Sequence, residues 1–155
     1  MKINLDSVLN DDISERIKRV EEYSDIKFPK SYIDFIKKYN VGIPITDKFK
    51  FNGNVYVIER FLGFVNVYKN SQLGVYDIPV VLSQIDTYLT DDPDLIGDEL
   101  IPIASLFAGN YICLNYTENE ENPSICIWDH EESDEFEPVI YTIAESFLEF
   151  IEMLF

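Results

Sequence analysis

The chain has 155 residues, 46% of them apolar and 26% charged, which fits one globular domain spanning 1–155. No apolar run approaches the roughly 18 residues needed to cross a bilayer. The opening MKINLDSVLNDD has acids where an export signal would place its apolar stretch, so a cytoplasmic protein without membrane contact is expected. Lys and Arg number 12 against 29 Asp and Glu, and the formal charge of −17 disfavours nucleic acid and favours cationic surfaces.

Asp12-Ile13-Ser14-Glu15 reads as a capping box, and Ile13, Ile17 and Val20 recur at helical spacing, which predicts a helix over 13–24. Pro29 fits a helix's first turn, where its missing N–H would be unpaired anyway. Tyr32, Phe35, Ile36 and Tyr39 form the apolar stripe behind it, Lys37 and Lys38 suit the negative pole of the helix, and Asn40-Val41-Gly42 ends it. Asn52-Gly53 between two β-branched and aromatic runs predicts a hairpin. Asp77 is placed to cap a third helix over 78–89, with Pro79 in its first turn. Residues 110–116 and 124–129 read as antiparallel neighbours flanking a polar loop, and Val139–Tyr141 as a last short strand. Thr142-Ile143-Ala144-Glu145 reads as a second capping box, opening a final helix with Phe147, Phe150, Ile151 and Leu154 on one face. Helices and strands are grouped and do not alternate, so the expected fold is α+β, with a largely antiparallel sheet and about four helices.

Charge is distributed unevenly along this order. Residues 1–69 hold all twelve bases and ten acids, whereas 70–155 hold nineteen acids and neither Lys nor Arg. The acids fall in three clusters: Asp91, Asp92, Asp94, Asp98 and Glu99; then Glu118, Glu120 and Glu121; then Asp129, Glu131, Glu132, Asp134, Glu135 and Glu137. Charge runs are commonly solvated faces and loop tips. The sharper reading is a docking surface for a basic partner.

No residue set specifies an enzyme, a metal or a cofactor. His130 lies between Asp129 and Glu131, but a metal site of the common kind needs about four ligands, and Cys113 and Cys126 are the other candidates of that kind. Both cysteines sit in apolar runs, where a thiol behaves as a small buried hydrophobe, and no neighbouring cation would stabilise a thiolate. A hairpin symmetric about its loop would make them cross-strand neighbours, and a disulfide is conceivable but unforced. Asp92-Pro93-Asp94 departs from a calcium loop at Ile96 and Ile103, where ligands would be required. The six glycines make no phosphate cradle.

Five segments in order resemble a known family. Phe28-Pro29-Lys30-Ser31-Tyr32-Ile33-Asp34-Phe35-Ile36-Lys37-Lys38-Tyr39-Asn40 is similar to the "LP-x-x-Y-x-x-F-L-x-x-x-N-G" helix of the SUKH superfamily, which includes fungal cell-wall assembly regulators and bacterial toxin-immunity proteins. Leu100–Ala104, Gly109–Leu114, Ile125–Glu131 and the closing Ile143–Phe150, similar to its "S-F-x-x-F" helix, follow in the family's order. The glycine pair after the second helix is Val41-Gly42 here, and the usual Gly-Asp before the central strand is Gly109-Asn110. The resemblance implies a non-enzymatic bacterial, cytoplasmic domain that neutralises a cognate polymorphic toxin, often a nuclease, without a cofactor.

A nuclease presents cations where phosphates bind, and an inhibitor can match them with carboxylates. Asp91, Asp92, Asp94, Asp98, Glu99, Glu131, Glu132, Asp134 and Glu135 are the expected partner-binding residues, with Tyr88 and Tyr116 as candidate aromatic anchors whose competing role is core packing. The alternatives are a regulatory scaffold for an endogenous protein, as in the fungal members, and an enzyme acting through clustered carboxylates. The sequence carries no signal for an oligomeric state.

Overall fold

The computed structural model describes residues 1–95 and 99–155, with the backbone alone at Asn70 and Leu95. Asp12 accepts the Ser14 N–H at 3.1 Å, but helix α1 (Ser14–Ser24) starts one residue later than expected and its N-cap is Ile13, whose carbonyl accepts the Ile17 N–H and whose side chain caps nothing. The bond from Ser14 holds the Asp12 carboxyl below the usual range. Glu15, expected to reach back, turns forward to Arg19 at 2.7 Å, because a cation one helical turn along competes for it. Ile17 and Val20 are buried, and α1 stops at Asp25, whose φ of 51° is left-handed. Helix α2 (Lys30–Tyr39) begins after Pro29, whose carbonyl accepts the Ile33 N–H at 3.0 Å. Tyr32 and Ile36 turn inward, and Lys37 and Lys38 occupy the last turn.

The end of α2 is held by its neighbour in the chain. Asn40 is buried, and its amide takes both backbone groups of Phe64, accepting from the N–H and donating to the carbonyl at 2.8 Å each. Gly63 makes this approach possible, since a Cβ there would lie 2.0 Å from Asn40 Oδ1. Val41 carries a φ of 53°, an outlier for a β-branched residue, and its carbonyl receives the Arg60 Nε–H.

Two short strands, β1 (Ile3–Asn4) and β2 (Ile43–Pro44), pair antiparallel. The main sheet begins with β3 (Lys48–Phe51) and β4 (Asn54–Phe61), joined at Asn52 and Gly53 with φ values of 51° and 82°. Those signs fit the tight hairpin turn that Asn-Gly favours. Asp77 caps α3 (Ile78–Ile85) by accepting the Val80 N–H. The helix expected to reach 89 ends at Ile85, and Asp86–Tyr88 tightens into a 3-10 turn. Four strands follow, β5 (Leu100–Leu106), β6 (Tyr111–Asn115), β7 (Ser124–Trp128) and β8 (Ile140–Ala144), then α4 (Phe147–Glu152). The six strands β3 to β8 lie side by side in chain order, every neighbour antiparallel. The expected α+β fold is therefore observed.

Strand β5 is buried along its whole length and sits inside the sheet despite Pro102. The register slips between Pro102 and Ala104, a bulge of the kind that lets a proline into a ladder whose N–H it cannot supply. The cap of α4 also differs from expectation. Thr142 is drawn into β8 opposite Cys126, and Ser146 becomes the cap, accepting the Glu149 N–H at 3.2 Å while Glu149 accepts the Glu145 N–H at 3.1 Å.

A chain of rings from Phe28 through Tyr32, Phe147 and Phe35 to Phe61, with centroids 4.8–5.2 Å apart, joins α2, α4 and the sheet. Each such buried ring contributes roughly 1.5–3 kcal/mol. Trp128 donates its indole N–H to the Tyr88 carbonyl at 2.8 Å, which ties β7 to the segment after α3.

Candidate partner-binding surface

The sheet register decides where the three acidic clusters lie. Leu100 pairs with Asn115, and the Tyr116 N–H donates to the Glu99 carbonyl at 2.7 Å, so the chain entering β5 lies beside the β6–β7 loop that carries Glu118, Glu120 and Glu121. Trp128 pairs with Tyr111, so the β7–β8 loop leaves from the opposite end of the strands, about 14 Å away at 3.4 Å per residue. Its Phe136 N–H nevertheless donates to the Thr87 carbonyl at 2.7 Å. Residues 87 and 88 are thus anchored at one end of β6 and β7, and Glu99 at the other. The loop carrying 131–135 is thus tied to Thr87 and the loop carrying Glu118–Glu121 lies beside Glu99, with Asp91, Asp92 and Asp94 between those two anchors in the chain; the three groups are called the acidic band below.

Some of the expected residues hold the band's backbone in place. Asp92 accepts the Asp94 N–H at 2.9 Å, and Asp129 accepts the N–H groups of Glu131 and Glu132 at 2.9 Å each, both carboxylates acting as turn braces. Glu132 takes the Tyr141 hydroxyl at 2.9 Å, and this bond pushes the phenol up from its ordinary value. Asp91, Asp94, Glu131, Asp134 and Glu135 are exposed, whereas Glu99 is half-buried. Asp98 lies outside the described residues. Among the described residues the ion pairs are Arg16–Asp77, Arg19–Glu15, Lys30–Asp34 and Lys48–Asp47. Asp77 is the second-half acid that these pairs include.

The two candidate anchors separate. Tyr88 is 39% exposed, within the band, with its carbonyl fixed by Trp128. Tyr116 is 5% exposed and donates its hydroxyl to the Lys27 carbonyl at 2.8 Å, and burial pushes its phenol well up. Its place is the core, because β6 turns residues 112, 114 and 116 toward the α1–α2 connection. Tyr141 and Phe136 belong to the band and went unread in the sequence. A signal was present for Phe136 only in hindsight of its φ of 59°, since nothing local announces a left-handed aromatic.

Glu120 and Glu121 face a cleft of 380 Å³ shared with the C-terminal end of α1, where Lys18 and Lys27 stand among Glu21, Glu22 and Asp25. Cations are therefore present at that end of the band.

Cys113 and Cys126 are register partners on β6 and β7, both fully buried and both free. Burial pushes the Cys113 thiol well above its ordinary value, which opposes nucleophilic use. His130 is exposed, its N–H donates to Asn110 Oδ1 at 3.0 Å, and its ring lies over Gly109 where a Cβ would come within 2.7 Å of it. Among the described residues no group of three His, Cys, Asp or Glu is arranged to hold a metal ion, and no helix is long and apolar enough to cross a membrane.

A six-stranded antiparallel meander packed with four α-helices, with a proline bulge in its third strand, defines the class of domain. The family described as SUKH_6, SMI1-KNR4 cell-wall, matches residues 14–151, and the chain belongs to that family. The match runs from the first residue of α1 into α4. No curated protein matches the chain in sequence.

Proposed function

We propose that residues 1–155 act as one domain, a non-enzymatic cytoplasmic immunity protein that neutralises a toxin by covering its cationic surface, the toxin being a nuclease. The observation that carries this reading is the hydrogen bond from the Phe136 N–H to the Thr87 carbonyl, which joins the loop of Glu131, Asp134 and Glu135 to the segment leading into Asp91 and Asp94, exposed carboxylates without ion pairs among the described residues. Asp91, Asp92, Asp94, Glu131, Glu132, Asp134 and Glu135 supply the field, with Asp98 and Glu99 extending it in sequence. Tyr88 supplies an aromatic contact of the kind that dominates binding energy. Fields of this kind raise association rates from about 10⁵–10⁶ toward 10⁸–10⁹ M⁻¹s⁻¹ at low salt. The family's description as SMI1-KNR4 cell-wall supports a second reading, a regulatory scaffold for an endogenous protein.

The test is a titration against the C-terminal domain of the toxin encoded beside this chain, with its activity assayed in parallel. Tight 1:1 binding that abolishes activity, with an on-rate falling at least about tenfold between 50 and 500 mM salt, is expected as the screening length shortens from about 14 to about 4 Å. Absence of binding at any salt overturns immunity in favour of the scaffold. Tight binding that ignores salt overturns the role of the band while leaving immunity standing.

A further inference from the structure

A second cleft lies between the first helix of the chain and the third. Helices α1 and α3 and the ring of Tyr68 enclose a cleft of 470 Å³, inside the range of about 300–1,000 Å³ that holds small molecules. Val20, Pro79 and Leu82 make its apolar lining, and Tyr23, 80% exposed, stands with Tyr68 at its edge. Its charged lining is two cations, Arg16 and Arg19, and one carboxylate, Asp86, in a protein whose formal charge is −17.

The state of Arg16 is the informative feature. Its guanidinium has five N–H groups in a fixed plane. Nη1 donates to the Val65 carbonyl at 2.8 Å and to Asp77 Oδ1 at 2.6 Å, and Nη2 donates to Asp77 Oδ2 at 3.0 Å. Asp77 thus takes the end of the fork, and Val65 one side. What remains is the opposite side, where Nε–H and the second Nη2–H lie parallel, with no partner among the described residues. The rings of Phe64 and Tyr68 cover the group, with its central carbon 5.6 and 5.5 Å from their centroids. A planar pair of donors matches a carboxylate in two-point contact. Arg19 adds a second charge at small cost, since its pair with Glu15 is exposed on both sides and such pairs contribute little.

We propose that this cleft binds a small organic acid: a carboxylate held by the free edge of Arg16 and by Arg19, attached to a flat apolar body lying on Val20 and Leu82 beside Tyr68. The site shares no carboxylate with the acidic band and stands or falls independently of the immunity reading.

The probe is phenylacetate, with phenylacetamide as its neutral counterpart, titrated to about 20 mM into the full chain, since fragments of this size bind in the millimolar range. ¹H–¹⁵N spectra then read the Arg16 side-chain Nε–H and the backbone amides of residues 16–23 and 79–86. Saturable shifts at these positions, with the amide at least about tenfold weaker, are expected because the neutral probe loses the charge-assisted contacts. Arg19→Gln weakens phenylacetate several-fold, and Ser83→Trp, placed on an exposed residue of the lining, abolishes it by filling the space. Tyr23→Ala, also at an exposed position, serves as the second apolar variant if Ser83→Trp loses the native spectrum. Shifts that are absent, equal for acid and amide, or unchanged in Arg19→Gln and in the folded apolar variant would overturn the proposal.

Discussion

Asp77 and the carboxylates of the acidic band are the same chemical group under opposite regimes. The Asp77 side chain has no exposed surface, meets both terminal nitrogens of Arg16, accepts the Val65 N–H at 2.8 Å and caps α3 through Val80. Asp91, Asp94, Glu131, Asp134 and Glu135 face water without ion pairs among the described residues. Burial forces a charge to find every partner it can, because an unpaired ion in the interior costs several kcal/mol, whereas water satisfies an exposed one at no structural expense. One acid is therefore part of the fold, and the others are free to serve something outside it. Asp77→Ala should give the largest effect of any acidic substitution, a loss of about 3–5 kcal/mol, because it strands Arg16 and the Val65 N–H together. Thermal unfolding followed by circular dichroism measures it. A loss under about 1 kcal/mol would mean that the junction tolerates its absence and that the contrast with the band is false.

The next effect tests whether buried polar contacts in general separate the two regimes. Gly63→Ala would set a Cβ 2.0 Å from Asn40 Oδ1 and 2.9 Å from the Val41 N, so the paired hydrogen bonds between Asn40 and Phe64 must open. A loss of roughly 2–3 kcal/mol is expected, with Asn40→Ala giving a similar value without the clash. If Gly63→Ala were harmless while Asn40→Ala was costly, the close approach would be relaxed in solution.

Alkaline titration reaches the interior without mutation. Tyr32 and Tyr116 have phenols pushed up chiefly by burial, so the folded state prefers them protonated. Their contribution is complete below the unfolded value of about 10 and is lost as pH rises from there toward the folded values. Stability should fall above about pH 10, with Tyr116→Phe giving up the Lys27 bond and flattening that fall. A pH-independent stability through that range would show that both phenols ionise freely. A smaller effect belongs to the last helix: Ser146→Ala removes a cap worth about 1 kcal/mol, and Thr142→Ala should cost less, reversing the order implied by the Thr142–Glu145 pattern.

That reversal shows what kind of information a sequence carries. Helices α1 and α2, the Asn52-Gly53 hairpin and the Asp77 cap were legible because each is decided within about four residues, by a side chain and the backbone next to it. Two Ser/Thr-x-x-Glu patterns stand four residues apart near the end, and only the pairing of Thr142 with Cys126 across the sheet selects between them. Pro102 similarly hides β5, since its strand is tolerable only with a bulge that its neighbours supply. The candidate surface was half legible. The acids are visible as three clusters, but what ties them rests on the Phe136 to Thr87 and Tyr116 to Glu99 bonds, contacts between segments far apart in the chain. Of the two roles open to Tyr116, anchor and core packing, burial selects the core, since closeness to an acidic loop in sequence says nothing of which face its strand presents.

The smallest stability effect is the most informative for function. Replacing Asp91, Asp94, Glu131 and Glu135 together by Asn and Gln removes four like charges from exposed positions that brace no turn, and the melting temperature should move by no more than about 2 °C, upward at low salt as repulsion is relieved. The same protein should associate with a basic partner at least about tenfold more slowly at low salt, with dissociation nearly unchanged, because rim charges act on encounter more than on the bound complex. Tyr88→Ala should do the reverse, raising the dissociation rate with little effect on encounter. If the quadruple variant loses stability instead, the carboxylates are engaged in the fold and the distinction from Asp77 disappears. If it keeps both stability and on-rate, the acids serve solubility alone, and the docking surface must be sought away from the band.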